Sequence, residues 1–373
     1  MRIRSSRVYI NEELQAGVIE IENNKIIAID DYDTNFDIDY QDDMILPGFI
    51  EIHSHGYGGQ NASRPSLEGL QMWANSLPSE GVTSFLATTG TQSYDANINA
   101  LEIISSYMEN NYQSGANLVG INVEGNFIDH TYRGAQDENN IVTPDPKIFN
   151  DYLKASKHKI KTVLCAVELD KDYAFVDNAV KKGVAVSVGH SGATYDQVKG
   201  ALKFGLSGAT HTGNGMRPFH HREPGVFGAA MNMDQLYAEV IVDGLHLHFE
   251  TVNIIGRLKG KDKLVLVTDS SSYKDYDGQE EGYVRYIGED GSIRNAAGNL
   301  SGSNLRFNDG VYNAINHAHL DFTTVINAAT INPAKYIKMD DTKGLIKVGY
   351  DADLVIVDDK FKVKEAIING IKQ

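Results

Sequence analysis

From residue 47 to 343 the chain repeats one pattern, a short apolar run followed by a helix-length amphipathic stretch. The runs Phe49-Ile50-Glu51-Ile52, Leu118 to Val123, Val184 to Gly189, Ala209-Thr210, Val240 to Leu245 and Leu264 to Thr268 read as strands covered on both faces. The stretches between them read as the covering helices, which predicts repeated βα units around a parallel sheet. These runs lead, in order, into His53, Glu124, His190, His211, His246 and Asp269. Residues able to bind metal or move protons at successive strand ends fit a (β/α)8 barrel of the TIM type, because those ends converge on one face. A doubly wound open sheet, the competing architecture, gathers its ligands at one switch point instead.

The two ends of the chain have a different pattern. Residues 1 to 46 alternate short β-type runs, such as Val8-Tyr9-Ile10 and Gly17 to Ile21, with Asn- and Asp-rich turns, and read as a small antiparallel sheet. Residues 344 to 373 have the same character, with Ala352 to Val357, Ala366 to Ile368 and an Asn369-Gly370 turn. The expected organisation is a small β domain built from 1–46 with 344–373, beside a barrel at 47–343.

Composition narrows the function. The 373 residues are 42% hydrophobic and 23% charged, as in an ordinary soluble protein large enough for a substantial core. A net charge of −16 argues against a general nucleic-acid or anionic-membrane binder, so an anionic ligand would need a local basic patch. The lone cysteine, Cys165, lies in an apolar run, which excludes an intrachain disulfide and a multi-cysteine zinc site and fits a reducing cytoplasm. The amino terminus has no apolar signal-type region and no run of apolar residues could span a bilayer, so a soluble, unexported protein is expected.

His53 and His55 stand at i and i+2, so on an extended strand both imidazoles point to one side. With Glu124, His190, His211 and Asp269 they offer four nitrogen and two oxygen donors, a set suited to zinc or ferrous iron with positions left open for water. Each residue also has a plainer reading: Glu124 as a buried ion-pair partner, His190 as a packed or capping histidine, Asp269 as a helix cap. Their joint occurrence at strand ends favours a metal centre. Asp269 is then placed to take a proton from an activated water and return it to a leaving amine. The loop after His211, with Asn214, Gly215 and Arg222, is the best candidate for an anion site, since glycines allow backbone approach and arginine presents a planar fork. There is no GxxxxGK[ST], GxGxxG or GxSxG motif.

The string Leu46-Pro47-Gly48-Phe49-Ile50-Glu51-Ile52-His53-Ser54-His55-Gly56 resembles the opening of the amidohydrolase superfamily barrel. Val123-Glu124-Gly125, Gly189-His190-Ser191-Gly192, Thr210-His211, Arg222-Glu223-Pro224-Gly225, Asp243-Gly244-Leu245-His246, Val267-Thr268-Asp269 and Leu300-Ser301-Gly302-Ser303 follow in the order of its N-acetylglucosamine-6-phosphate deacetylase family. The resemblance runs from about residue 46 through Gly349-Tyr350-Asp351-Ala352-Asp353.

It implies a (β/α)8 barrel with a small β-sandwich domain from both termini, working as a dimer. It implies that Glu124, His190 and His211 hold the main metal, with His53 and His55 marking a two-metal branch bridged by Glu124. Zinc is favoured over iron, and one ion is the alternative to two. Asp269 would serve as acid and base, His246 would polarise the amide carbonyl, the backbone at Asn214 and Gly215 would meet the sugar phosphate, and Arg222 would reach it from the partner subunit. The implied reaction removes the N-acetyl group from N-acetylglucosamine 6-phosphate. This chain departs from the family pattern at Asn126, Gln136, Thr212-Gly213, Gly215 and Ser270, positions expected to line the sugar pocket, with Gln136 standing where a substrate-contacting histidine is usual. The galacto epimer, another N-acyl or cyclic amide, and a non-catalytic scaffold are the rival readings.

Overall fold

The structure is a computed structural model and describes residues 1–110, 114–276, 278 and 285–373. Eight parallel strands follow one another in sequence order: β1 (Phe49–Glu51), β2 (Val82–Thr89), β3 (Asn117–Val123), β4 (Ile160–Cys165), β5 (Ala185–Val188), β6 (Gly208–Ala209), β7 (Tyr237–Val240) and β8 (Leu264–Leu266). Most of their residues are buried, on both faces, so the strands need cover inside and outside. The helices supply the outer cover: Leu67–Ser76, Tyr94–Glu109, Pro146–Ala155, Ala174–Lys181, Tyr195–Leu202, Gly225–Asn232, Phe249–Lys263 and Phe307–Asn316 follow the strands in turn. Their starts are chemically marked. Ser66, Ser93 and Asp145 accept from the first turn of their helices, and Thr194 with Gln197 forms a reciprocal capping box.

The barrel closes beyond the ends of β1 and β8. Ser54 and Ser270 form a parallel bridge, with Asp269 N–H donating to His53 O and His55 N–H donating to Ser270 O, each at 2.8 Å. This is the (β/α)8 arrangement expected from the strand-end pattern. The core between strands and helices includes Phe85, Leu101, Phe127, Phe149, Val163, Phe175 and Val240.

Both termini enter one eight-stranded sheet, formed by segments between Arg2 and Pro47 and between Leu354 and Lys372. Its core is aliphatic, built on Ile3, Val8, Ile19, Ile26, Ile45, Leu354, Ile356 and Ile367. The expected antiparallel pairing holds for Arg2–Ile10 with Glu13–Glu22, but Arg2–Ile10 pairs in parallel with Met44–Pro47. The long return through residues 32–43 allows this, since a parallel neighbour needs a crossover and a tight turn cannot supply one. Leu354–Val357 then pairs with Met44–Pro47, which ties the carboxyl-terminal strands to the entry of β1. No helix among the described residues is long and apolar enough to cross a membrane.

Candidate active site

The strand-end residues predicted from sequence meet at the carboxyl face of the barrel. Glu124 is their centre. Its Oε1 lies 3.1 Å from His190 Nε2 and 3.0 Å from His211 Nε2, and its Oε2 lies 3.0 Å from His55 Nε2. Asp269 Oδ1 is 3.2 Å from His55 Nε2 and 3.7 Å from His53 Nε2, which in turn is 3.7 Å from Glu124 Oε1. His190, His211 and Asp269 hold positive φ values of 43°, 30° and 50°, conformations uncommon for residues with side chains.

The other ring nitrogens settle the tautomers. Nδ1 of His55, His190 and His211 faces the main-chain carbonyls of Thr88, Tyr132 and Asn214 at 3.0, 2.7 and 3.2 Å. A carbonyl can only accept, so each Nδ1 carries a hydrogen, and with a cation in place each ring would present its Nε2 lone pair to it. His53 Nδ1 is 3.0 Å from Glu239 Oε2, with the same outcome.

This donor set fits a divalent cation. His53, His55 and Asp269 form one group of converging ligand atoms, and His53, Glu124 and His211 form another. His53 Nε2 is buried and without a hydrogen-bond partner, as expected of a lone pair reserved for an ion. The charged partners of Glu124, Asp269 and Glu239 among the described residues are histidines, so the buried carboxylates attract positive charge. Burial opposes an imidazolium at His53, but Glu239, Asp269 and Glu124 outweigh it and raise the ring to about 9. At His55 burial is likewise outweighed, by Glu124 and Asp269, and the value reaches about 10. Burial works against ionised Glu124, yet His55, His190 and His211 hold it well below the usual carboxylate range.

The centre opens into a cavity of about 490 Å3 lined by His55, Glu124, Gln136, Asn214, His246 and Asp269, among others. His246 Nδ1 pairs with Asp243 Oδ2 at 2.6 Å, and Asp243 Oδ1 accepts from the backbone N–H of Leu245 and His246 at 2.8 Å each. Burial disfavours the charged ring of His246, but Asp243 outweighs it and raises the pKa. With Nδ1 engaged, Nε2 is the ring nitrogen left for the cavity.

Residues 44–372 match the amidohydrolase family. The chain belongs to this family. The amidohydrolase is 36% identical over 335 residues to N-acetylglucosamine-6-phosphate deacetylase of Lysinibacillus sphaericus, covering 88% of this chain and 84% of that one. It is 34% identical over 375 residues to the enzyme of the same name from Bacillus subtilis (strain 168), covering 96% and 93%. Its fold matches the crystal structure of N-acetyl-D-glucosamine-6-phosphate deacetylase from Mycobacterium smegmatis with a TM-score of 0.93, at 26% identity and 100% and 99% coverage.

The amidohydrolase places its sequence departures differently from the expectation that they line the sugar pocket. Gln136 and Gly215 do line the cavity. Gln136, however, is turned to the metal centre: Nε2 donates to Glu124 Oε2 at 2.6 Å and Oε1 accepts from Thr91 N at 2.8 Å. Asn126 is buried in the frame, donating to the carbonyls of Gln92 and Asn140 at 2.6 Å each, while Ser270 bonds Ser54 and the Gly56 carbonyl. Thr212 is buried against Ala209 O, and neither it nor Gly213 lines the cavity. Arg222 sits on an exposed turn closed by His220 and Glu223, outside this chain's cavity lining.

Sequence reasoning missed Glu239, a buried carboxylate inside β7. Its one signal was a charged residue in the apolar run Tyr237-Ala238-Glu239-Val240-Ile241-Val242. It also missed Glu168, which accepts from Ser191 Oγ at 2.6 Å and from Gly192 N, and so holds the loop behind His190.

Proposed function

We propose that this amidohydrolase removes the N-acetyl group of N-acetylglucosamine 6-phosphate, giving acetate and glucosamine 6-phosphate. The observation that carries the reading is the convergence of four histidine Nε2 atoms and the Asp269 carboxylate around Glu124, at the floor of a cavity of about 490 Å3. The whole-chain similarity to enzymes named for that deacetylation supports the substrate.

His53, His55, Glu124, His190, His211 and Asp269 would hold two divalent cations, with zinc favoured by the imidazole and carboxylate donors. When bound, such a cation supplies Lewis acidity that activates a water molecule and polarises a carbonyl. Asp269 faces the cavity and accepts the proton of the attacking water, then delivers it to the amide nitrogen as the carbon–nitrogen bond breaks. His246, oriented by Asp243, donates from Nε2 to the carbonyl oxygen as negative charge develops there. Asn214 and Gly215 offer the sugar phosphate backbone at the cavity wall.

Arg222, exposed here, suits a reading in which two chains associate and each Arg222 completes the partner's phosphate site. The division into a β domain of 1–46 with 344–373 and a barrel of 47–343 follows the same reading. A cytoplasmic setting is supported by Cys165, buried and unpaired.

The test is acetate release by zinc-replete protein from N-acetylglucosamine 6-phosphate, its galacto epimer and the unphosphorylated sugar. Release from the phosphorylated gluco sugar alone is expected. Equal release with and without phosphate would refute the phosphate assignment, and release from the galacto epimer alone would move the substrate to that sugar.

A further inference from the structure

Of the histidines whose Nε2 atoms face the centre, His55, His190 and His211 rest Nδ1 on main-chain carbonyls. His53 rests on a side chain. Glu239 lies in β7, whose neighbours are β6 and β8, so its carboxylate reaches past β8, across the barrel interior, to a ring that follows β1. The oxygen that meets His53 Nδ1 at 3.0 Å also lies 3.4 Å from His211 N.

A carboxylate behind a histidine does more than a carbonyl. It fixes the same tautomer and orientation, and its full negative charge makes the far nitrogen a stronger donor. His53 Nε2 has no hydrogen-bond partner of its own although the residue is fully buried. Its orientation is therefore set from the Nδ1 side, and the side chain that sets it is Glu239.

We propose that Glu239 is a positioning residue for the cation held by His53, His55 and Asp269, acting through His53 and touching neither ion nor substrate. The proposal rests on the two-cation reading above. A merely structural role would loosen the barrel and metal binding together, whereas positioning through His53, which converges with His55 and Asp269 and also with Glu124 and His211, weakens cation binding while the fold is kept.

The experiment titrates metal-free wild type, Glu239→Gln and Glu239→Ala with zinc against a chromophoric chelator, with metal content and melting temperature read in parallel. Wild type is expected to take up two zinc ions per chain. Glu239→Ala is expected to weaken zinc binding by about 10- to 100-fold with the melting temperature of the metal-free protein largely kept. Glu239→Gln keeps the shape and an acceptor oxygen but loses the charge, so zinc binding should weaken by a smaller factor; this variant carries the test on its own if the alanine variant does not fold. Wild-type zinc affinity in Glu239→Gln, or a loss of affinity accompanied by a lower melting temperature of the metal-free protein, overturns the role of Glu239. Fewer than two zinc ions in wild type overturns the two-cation reading and the proposal with it.

Discussion

Asp269 donates its backbone N–H to the carbonyl of His53 at 2.8 Å, and this bond helps close the barrel where both side chains enter the metal centre. The backbone does the joining, so the Asp269 side chain is free for chemistry. Asp269→Asn should therefore leave the fold intact while removing the proton acceptor and weakening a ligand. Turnover should fall by about 10²- to 10⁴-fold, the usual scale for a lost acid-base group. Acetate release and circular dichroism melting, measured on the same preparation, check this; near-normal turnover would take Asp269 out of that role.

Gly215 makes a second dependence visible. Its φ is +55°, and a Cβ built there would stand 2.8 Å from His190 Nδ1, against the side of the ring that Tyr132 O holds. Gly215→Ala should cost about 1–2 kcal/mol in backbone strain and press on His190 besides. The expected outcome is a lower melting temperature together with reduced zinc retention. A variant that keeps full zinc affinity would show that the ring accommodates the methyl group.

The strand ends are legible because a parallel barrel strand is an apolar run, and a metal- or proton-binding residue at the end of several successive runs stands out. His53, Glu124, His190, His211 and Asp269 all announce themselves this way. Glu239 lies inside a strand, not at its end, so its charge is visible in the run but its meaning comes from His53, 186 residues away. Gln136 stands out in the sequence as a departure, but its direction is not readable there: whether an amide faces substrate or Glu124 depends on a loop path that local sequence does not encode. The parallel pairing of Arg2–Ile10 with Met44–Pro47 was hidden for a similar reason, since alternation predicts a strand without naming its neighbour.

The terminal sheet is tied to the chain around Lys343, whose Nζ lies 2.5 Å from Asp353 and 3.1 Å from Asp351, with Lys25 on the other oxygen of Asp351 at 2.6 Å. Burial opposes charge on Asp351, but Lys25 and Lys343 outweigh it and lower its pKa. A lowered folded value means that stability from Asp351 is present above the unfolded carboxylate pKa of about 3.9 and is lost as pH falls through the folded one. Lys343 is the mirror case: burial is outweighed by Asp353 and Asp351, its pKa rises, and its contribution is present below about 10.4 and lost at higher pH. Asp351→Asn should lower the urea midpoint at pH 7, and its gap from wild type should shrink below about pH 4. A gap independent of pH would exclude the ion pair as its source.

Arg222 is exposed, so Arg222→Ala should change stability by less than about 0.5 kcal/mol. Its effect should fall on KM for the phosphorylated sugar, with little change for the unphosphorylated one. Mixing Arg222→Ala with Asp269→Asn chains offers a sharper check. If Arg222 serves the partner's site, a mixed dimer contains one site with both defects and one with neither, and activity should return on mixing. No recovery from a mixture shown to exchange subunits would place Arg222 outside the partner's site.

Gln136 spends both ends of its amide on the protein, one on Glu124 Oε2 and one on Thr91 N. A residue so engaged acts on the substrate through Glu124, which separates two outcomes. Gln136→Leu, close in size, removes a hydrogen bond to a charged group, an interaction of about 1.5–3 kcal/mol. If Gln136 positions Glu124, kcat should fall by roughly tenfold or more while KM changes little, because the loss is felt where charge develops in the transition state. If it instead binds the sugar, KM should rise with kcat largely kept. Steady-state kinetics on the phosphorylated sugar decide between them, and a histidine variant that restores kcat would show that a ring donor can support Glu124 from the same position.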